Sequence, residues 1–171
     1  SLLLKFRVLC ATRQGEQGVA YINDQIQSLL FSQQNKPHTN GLYHAQPIMI
    51  NENDYRLGLY NGDIGILWRN EAGHLMAVFE DVEQQYKWIM PSRLPQFETV
   101  YAMTIHKTQG SEFEYVALLL PNQKDNRLLS RELLYTGITR AKEQLSIAAT
   151  ANVWRQGVES QVIRYSGLNL D

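Results

Sequence analysis

The feature that most constrains the fold is the near-continuous apolar run Val116-Ala-Leu-Leu-Leu120, stopped by Pro121. A run of this length and purity reads as a strand of the parallel-sheet type, the kind that sits inside an α/β fold under helices. A second apolar segment, Val100 to Ile105, precedes it and reads as another strand. Between them lie Thr104, His106, Lys107, Thr108, Gln109, Gly110, Ser111 and Glu112, a dense polar loop held by two buried strands. Loops on rigid strands are where binding chemistry concentrates.

The rest of the chain supports the α/β reading at both ends. Phe6 to Thr12 reads as a short buried strand, and Arg13-Gln-Gly-Glu-Gln-Gly18 is the polar turn that ends it. Val19, Ile22, Ile26, Leu29 and Leu30 then recur at the spacing of one helix face, which predicts a helix to about Gln33. Ser130 is placed to cap a helix running to about Lys142, and Leu145 to Ala149 forms a further strand. A last helix is expected from Asn152 to Arg164, weakened at Gly157.

The middle has a different texture. Pro47–Ile50, Ile64–Trp68, Leu75–Phe79 and Tyr86–Met90 are four short strands separated by the turn signals Asn61-Gly-Asp63, Asn70-Glu-Ala-Gly73 and Glu80-Asp81. The expectation is a small antiparallel barrel of the SH3 kind over residues 46–91, inserted into an α/β domain made of residues 1–45 and 92–171.

Composition narrows the function. The 171 residues, 44% of them hydrophobic, suffice for one ordinary core with a small second module. A net charge of −1 argues against affinity for nucleic acid through bulk charge alone, and leaves room for a local phosphate-contacting groove. Cys10 is the only cysteine and lies in an apolar run, which points to a buried thiol, a reducing compartment and a cytoplasmic protein. His38, His44, His74 and His106 have no metal-ligand spacing, so no metal site is expected. No run approaches membrane-span length, and Ser1-Leu-Leu-Leu-Lys5 lacks the order of a signal peptide.

A second polar stretch stands beside the first, Leu134-Tyr-Thr-Gly-Ile-Thr-Arg-Ala141. On a continuous helix Arg140, seven positions after Leu133, lies within about 20° of that apolar side chain. An arginine so placed needs an anion or a route to solvent. It can reach across an interface to a phosphate, or lie along the helix end and pair with Glu143 or Asp125. A nucleophilic role for Ser111 with His106 or Lys107 as base lacks support, because no G-x-S-x-G elbow is present.

Thr104-Ile-His-Lys-Thr-Gln-Gly-Ser-Glu-Phe113 resembles motif V of superfamily 1 helicases, and Leu134 to Ala141 resembles their motif VI, in the same order with a strand between. Val8 to Asn23 occupies the place of motif IV. Asn53-Asp-Tyr-Arg-Leu-Gly-Leu-Tyr-Asn-Gly-Asp-Ile-Gly65 is similar to the entry into the SH3-like insertion of the RecD branch, which includes the alpha subunit of exodeoxyribonuclease V and moves 5′ to 3′ on single-stranded DNA. The resemblance covers nearly the whole chain. It implies the second RecA-like motor domain, a P-loop NTPase-type fold, of a helicase acting in double-strand break repair and recombination.

The resemblance also implies residue roles. Arg140 would be the arginine finger on the γ-phosphate of ATP. Glu112 would approach the ribose, and Gly110 would let the backbone near the phosphates. Thr104 and His106 would face the DNA strand, assisted by Lys107 or Thr108. Arg13 is the nearest candidate for the motif IV arginine, although the helix entrance here, Gly15-Glu-Gln-Gly18, departs from the Gln-Ser type. The alternatives are a hydroxyl and imidazole that satisfy loop backbone groups at Thr104 and His106, and a solvent-facing carboxylate at Glu112.

No G-x-x-x-x-G-K-[ST] loop occurs in the 171 residues. ATP and Mg²⁺ would therefore be held mainly by an N-terminal motor domain outside this sequence, and the fragment alone is expected to bind no cofactor and to be inactive. RecD-like proteins work either with RecB and RecC subunits or alone, and the overall resemblance leans to the first. A competing class is a binding module in which the small barrel grips single-stranded nucleic acid or a partner through Tyr55, Tyr60, Trp68 or Trp88, the tryptophans being the ones expected in a core.

Overall fold

The structure, a computed structural model, describes residues 5–33, 41–81, 85–108, 110–122 and 129–161. The chain forms two compact units. One is built on residues 22–102, and the other takes the described residues up to Tyr21 and from Met103 onward.

The second unit contains a four-stranded sheet made of β1 (Phe6–Cys10), β7 (Ala102–Thr104), β8 (Phe113–Leu119) and β9 (Ala141–Ala148), in the order β7-β1-β8-β9. β1 and β8 are parallel from Phe6 opposite Tyr115 to Cys10 opposite Leu119, and β8 and β9 are parallel as far as Leu119 opposite Ala148. The parallel-sheet expectation for Val116–Leu120 thus holds in its pairing. Its burial is one-sided, because side chains alternate across a strand: Val116, Leu118 and Leu120 are sealed, while Tyr115, Ala117 and Leu119 keep partial exposure.

Two helices pack with this unit, α2 (Arg131–Ile138) and α3 (Ala151–Glu159). The hydroxyl of Ser130 accepts the Leu133 amide, as the sequence predicts for its cap, and Thr150 caps α3 in the same way. α2 is shorter than expected. Thr139 N bonds to Tyr135 O, Arg140 N closes a tighter turn on Gly137 O, and the Arg140 carbonyl is captured by the Phe113 amide, which starts β9 at Ala141. Lys142 is therefore a strand residue. The expected end of the last helix, from Val162 to Arg164, lies outside the described residues.

The first unit is antiparallel. β2 (Gln46–Ile50), β3 (Ile64–Arg69), β4 (Leu75–Glu80), β5 (Tyr86–Ile89) and β6 (Phe97–Thr99) form one sheet in the order β5-β4-β3-β2-β6. The four expected strands are present, and a fifth comes from beyond residue 91. Among the described residues the pairings do not close an SH3-like barrel, since β5 and β6 stand at opposite edges. Ile48, Ile50, Leu59, Leu67, Ala77, Phe79 and Ile89 form its core, with Leu57, Leu94 and Phe97 packed against them. The Asn61-Gly62-Asp63 turn requires Gly62, whose φ is +100°.

The helix α1 (Val19–Gln33) spans the predicted residues, but Leu29 is 60% exposed and Phe31 is buried, set edge-on against Tyr43. The segment Val100–Ile105 is not one strand. Val100 N still bonds to Pro47 O in the antiparallel sheet, whereas both backbone groups of Ala102 go to the Asn23 side chain, so the chain changes sheets at Tyr101.

Candidate functional site

The polar loop between β7 and β8 is pinned from within. After Thr104 the chain makes a 3₁₀ turn, Ile105–Thr108, in which Ile105 and Thr108 are buried. Ile105 packs under Gly137 of α2, where an added Cβ would stand 3.3 Å from its Cδ1. The Thr108 hydroxyl donates to the Ile105 carbonyl. Thr108 therefore shapes the loop rather than offering a hydroxyl at the surface. His106 is exposed and Lys107 is partly so, while Thr104 is half-buried at the end of β7. Ser111 N bonds back to Thr108 O, and Gly110 takes φ +85° with no atom within 4 Å of a Cβ position. Glycine is needed there by the backbone, and the space around it is open.

Arg140 crosses from the end of α2 to this loop. Its Nε donates to Thr136 O at 3.2 Å and Nη2 donates to Thr139 Oγ1 at 3.3 Å, which fixes the side chain to the helix end. Nη1 donates to Ser111 O at 3.0 Å and to Thr108 O at 3.4 Å. All of these acceptors are neutral oxygens. Among the described residues no carboxylate pairs with the guanidinium, so pairing with Glu143 is not seen, and Asp125 lies outside the described residues. The helical-stripe argument for Arg140 fails, since α2 ends before it. Its placement next to the polar loop comes instead from the turn into β9.

Glu112 extends the same contact. Lys142 Nζ lies 3.5 Å from Glu112 Oε2, with both side chains more than half exposed, an ion pair of small energetic weight. Phe113, which closes the loop, is 1% exposed and carries the Arg7 guanidinium 5.4 Å from its ring centroid. Burial pulls the Arg7 cation down to about 10. The signal for Arg7 was a cation inside an apolar strand segment.

The structure thus gathers Thr108, Gly110, Ser111, Glu112 and Arg140. Arg13 does not join them. It follows the C-terminal end of β1, whereas Phe113 and Arg140 stand at the N-terminal ends of β8 and β9, and parallel strands of this length separate the two ends by ~16 Å. At Arg13's end the β1–α1 loop meets Pro121 and Asn122, with Asn122 N bonded to Gln17 Oε1.

Chemically, the Arg140 cluster fits an anion. The guanidinium is bonded to carbonyls and a hydroxyl, and a phosphate oxygen is a stronger acceptor than any of them. The expected core tryptophans are corrected: Trp68 and Trp88 in the antiparallel sheet are each nearly half exposed, the Trp68 ring tilted against His44 with centroids 4.2 Å apart. Tyr55 and Tyr60 are also exposed and meet edge-on.

Residues 99–148 match the UvrD-like helicase C-terminal domain, a stretch that takes in the loop, α2 and Arg140. Over 95% of its length the chain is 41% identical to the RecBCD enzyme subunit RecD of Mycolicibacterium smegmatis. The chain is homologous to RecD. The RecD of Haemophilus influenzae is 40% identical over 95% of the chain. The chain spans 28% of the first of these RecD subunits and 24% of the second. In architecture it is similar to the crystal structure of Bacteroides Pif1 bound to ssDNA, with a TM-score of 0.59 at 16% identity, covering 91% of this chain and 43% of that one. This is a helicase-like α/β fold with a parallel sheet. The RecD similarity also runs through the antiparallel unit and Arg13, which the helicase-domain match leaves out.

Proposed function

We propose that this chain is the second motor domain of an ATP-dependent DNA helicase of the RecD type, moving 5′ to 3′ on single-stranded DNA in double-strand break repair. The observation that carries the reading is Arg140, a charged fork that among the described residues is held only by neutral oxygens, two at the end of α2 and two on the polar loop. Arg140 acts as the arginine finger toward the γ-phosphate, with Glu112 and Gly110 on the nucleotide side. Thr104, His106 and Lys107 face the DNA strand. Thr108 serves the same function from inside, by holding the turn that presents them.

ATP with Mg²⁺ would be held mainly by another domain of the full-length protein and would supply the phosphate charge that Arg140 neutralises. The 46–91 region is an accessory insertion on this motor domain, and RecB and RecC type subunits are its partners. A second reading, in which the antiparallel unit grips single strands by itself, draws support from the exposure of Tyr55, Tyr60, Trp68 and Trp88. Deleting residues 46–91 separates the two, since unchanged single-strand affinity removes the module.

The test of the main reading is Arg140→Ala in the full-length protein. Hydrolysis is expected to fall about 10³-fold or more with folding intact. Near-normal turnover would overturn the arginine-finger role.

A further inference from the structure

The geometry points to Arg140 as a latch on the loop that faces DNA, a latch that nucleotide phosphate opens. This rests on the proposed motor function and adds to it a statement of what moves. Arg140 grips the loop twice. Its carbonyl accepts the Phe113 amide at 2.8 Å, and its Nη1 donates to Ser111 O and Thr108 O. The first tie belongs to the backbone and continues into the β8–β9 pairing. The second depends entirely on where the guanidinium points.

A phosphate oxygen competes for that guanidinium with advantage, because a hydrogen bond between two ionised groups is roughly twice as strong as one to a neutral carbonyl. The fork is planar and its donors are fixed in direction, so Nη1 cannot serve a phosphate and both loop carbonyls together. Nε, bonded to Thr136 O near the root of the side chain, can stay in place. A phosphate that takes the Nη1–Nη2 edge of the fork displaces the ties to Ser111 and Thr108 together with that to Thr139.

The release is confined by what remains. Downstream, Phe113 is buried and still bonded to the Arg140 carbonyl. Upstream, Ile105 stays packed beneath Gly137. Between these anchors lies Gly110, at φ +85° with open space on its Cβ side, the residue best able to absorb a backbone change. The end of the 3₁₀ turn that carries His106 and Lys107 then loses the Arg140 bond at the Thr108 carbonyl and keeps there the Ser111 amide. Nucleotide binding in this way loosens the strand-facing loop without disturbing the sheet.

The experiment is backbone hydrogen exchange on the full-length protein, with and without a non-hydrolysable ATP analogue, beside oligothymidine affinity. In the wild type the analogue is expected to speed exchange at Thr108, Gly110 and Ser111 about tenfold and to leave Phe113 unchanged. Arg140→Ala should show the fast loop without the analogue, and the analogue should add nothing. Arg140→Gln places its amide where Nε stands, beside Thr136 O and short of the Ser111 and Thr108 carbonyls, so its loop should also be fast with or without the analogue. A loop in Arg140→Ala that exchanges as in the wild type would overturn the latch, even if hydrolysis is lost. An Arg140→Gln loop that exchanges as slowly as the wild type without the analogue would overturn it as well, and this second variant decides the matter if the alanine variant does not fold. Failure of the motor reading has a different signature, retained hydrolysis in Arg140→Ala.

Discussion

Gly157 of α3 lies so close to Leu134 of α2 that a Cβ at position 157 would stand 2.8 Å from Leu134 Cδ1 and 3.0 Å from Leu129 Cγ. Both leucines are 2% exposed and have little room to yield. Gly157→Ala should therefore destabilise the chain by about 1 kcal/mol, the overpacking penalty exceeding the gain in helix propensity. Urea denaturation measures this. A companion Leu134→Ala should recover part of the loss in a double-mutant cycle, and an additive cycle would show that the two side chains do not collide.

Asn23 holds both backbone groups of Ala102, its Oδ1 accepting the amide at 2.8 Å and its Nδ2 donating to the carbonyl at 3.1 Å. Ala102 is 1% exposed, so water cannot replace either bond. Asn23→Ala is expected to lower stability by about 2–4 kcal/mol, since two buried groups lose their partner. A shift below about 0.5 kcal/mol would mean that the bridge contributes nothing net.

Tyr43 and Tyr101 share a hydroxyl contact of 3.0 Å. Burial raises both phenols above their ordinary value, and the shared hydrogen bond adds to the shift at Tyr43 and offsets it at Tyr101. In the unfolded chain tyrosine ionises near pH ~10, so above that pH the unfolded state releases protons first. The contribution of the pair is complete below pH ~10 and declines as pH rises past it. Thermal melts across pH 9–11 should fall more steeply for the wild type than for the Tyr43→Phe, Tyr101→Phe double variant; parallel curves would count against the pair.

Cys10 is fully buried, and burial pushes its thiol up to about 12. Disulfide reagents near pH 8 should label it only as fast as the chain opens. The labelling rate should therefore follow added urea, and prompt stoichiometric labelling of native protein would contradict the packing.

His106 is exposed on the 3₁₀ turn, unlike its buried neighbours Ile105 and Thr108. In the full-length protein His106→Ala should weaken oligothymidine binding several-fold, about 1 kcal/mol, with the melting temperature unchanged. Equal affinity for the two proteins would remove His106 from the strand-facing set.

The amino-acid sequence by itself determined the strand and helix alphabet, because burial imprints a period on each element. The strand of Phe6–Cys10, the helix of Val19–Gln33, the four antiparallel strands and the Ser130 cap are all legible in side-chain spacing and cap chemistry. It also set apart the polar loop and the stretch that contains Arg140 as two polar segments flanked by apolar ones. Tertiary structure decided what periodicity cannot encode. That α2 stops at Ile138 depends on the Phe113 amide, distant in sequence, capturing the Arg140 carbonyl. That Val100 and Ala102 serve different sheets depends on Pro47 and Asn23. Gly157 looked like a weak point in a helix, and only the neighbouring leucines show that it is a contact surface. Arg13 and Arg140 look equivalent as charges, and only the direction of parallel strands places them at opposite ends of the sheet. Each of these rests on a hydrogen bond or a close approach between residues far apart in the chain, and local spacing carries no record of such partners.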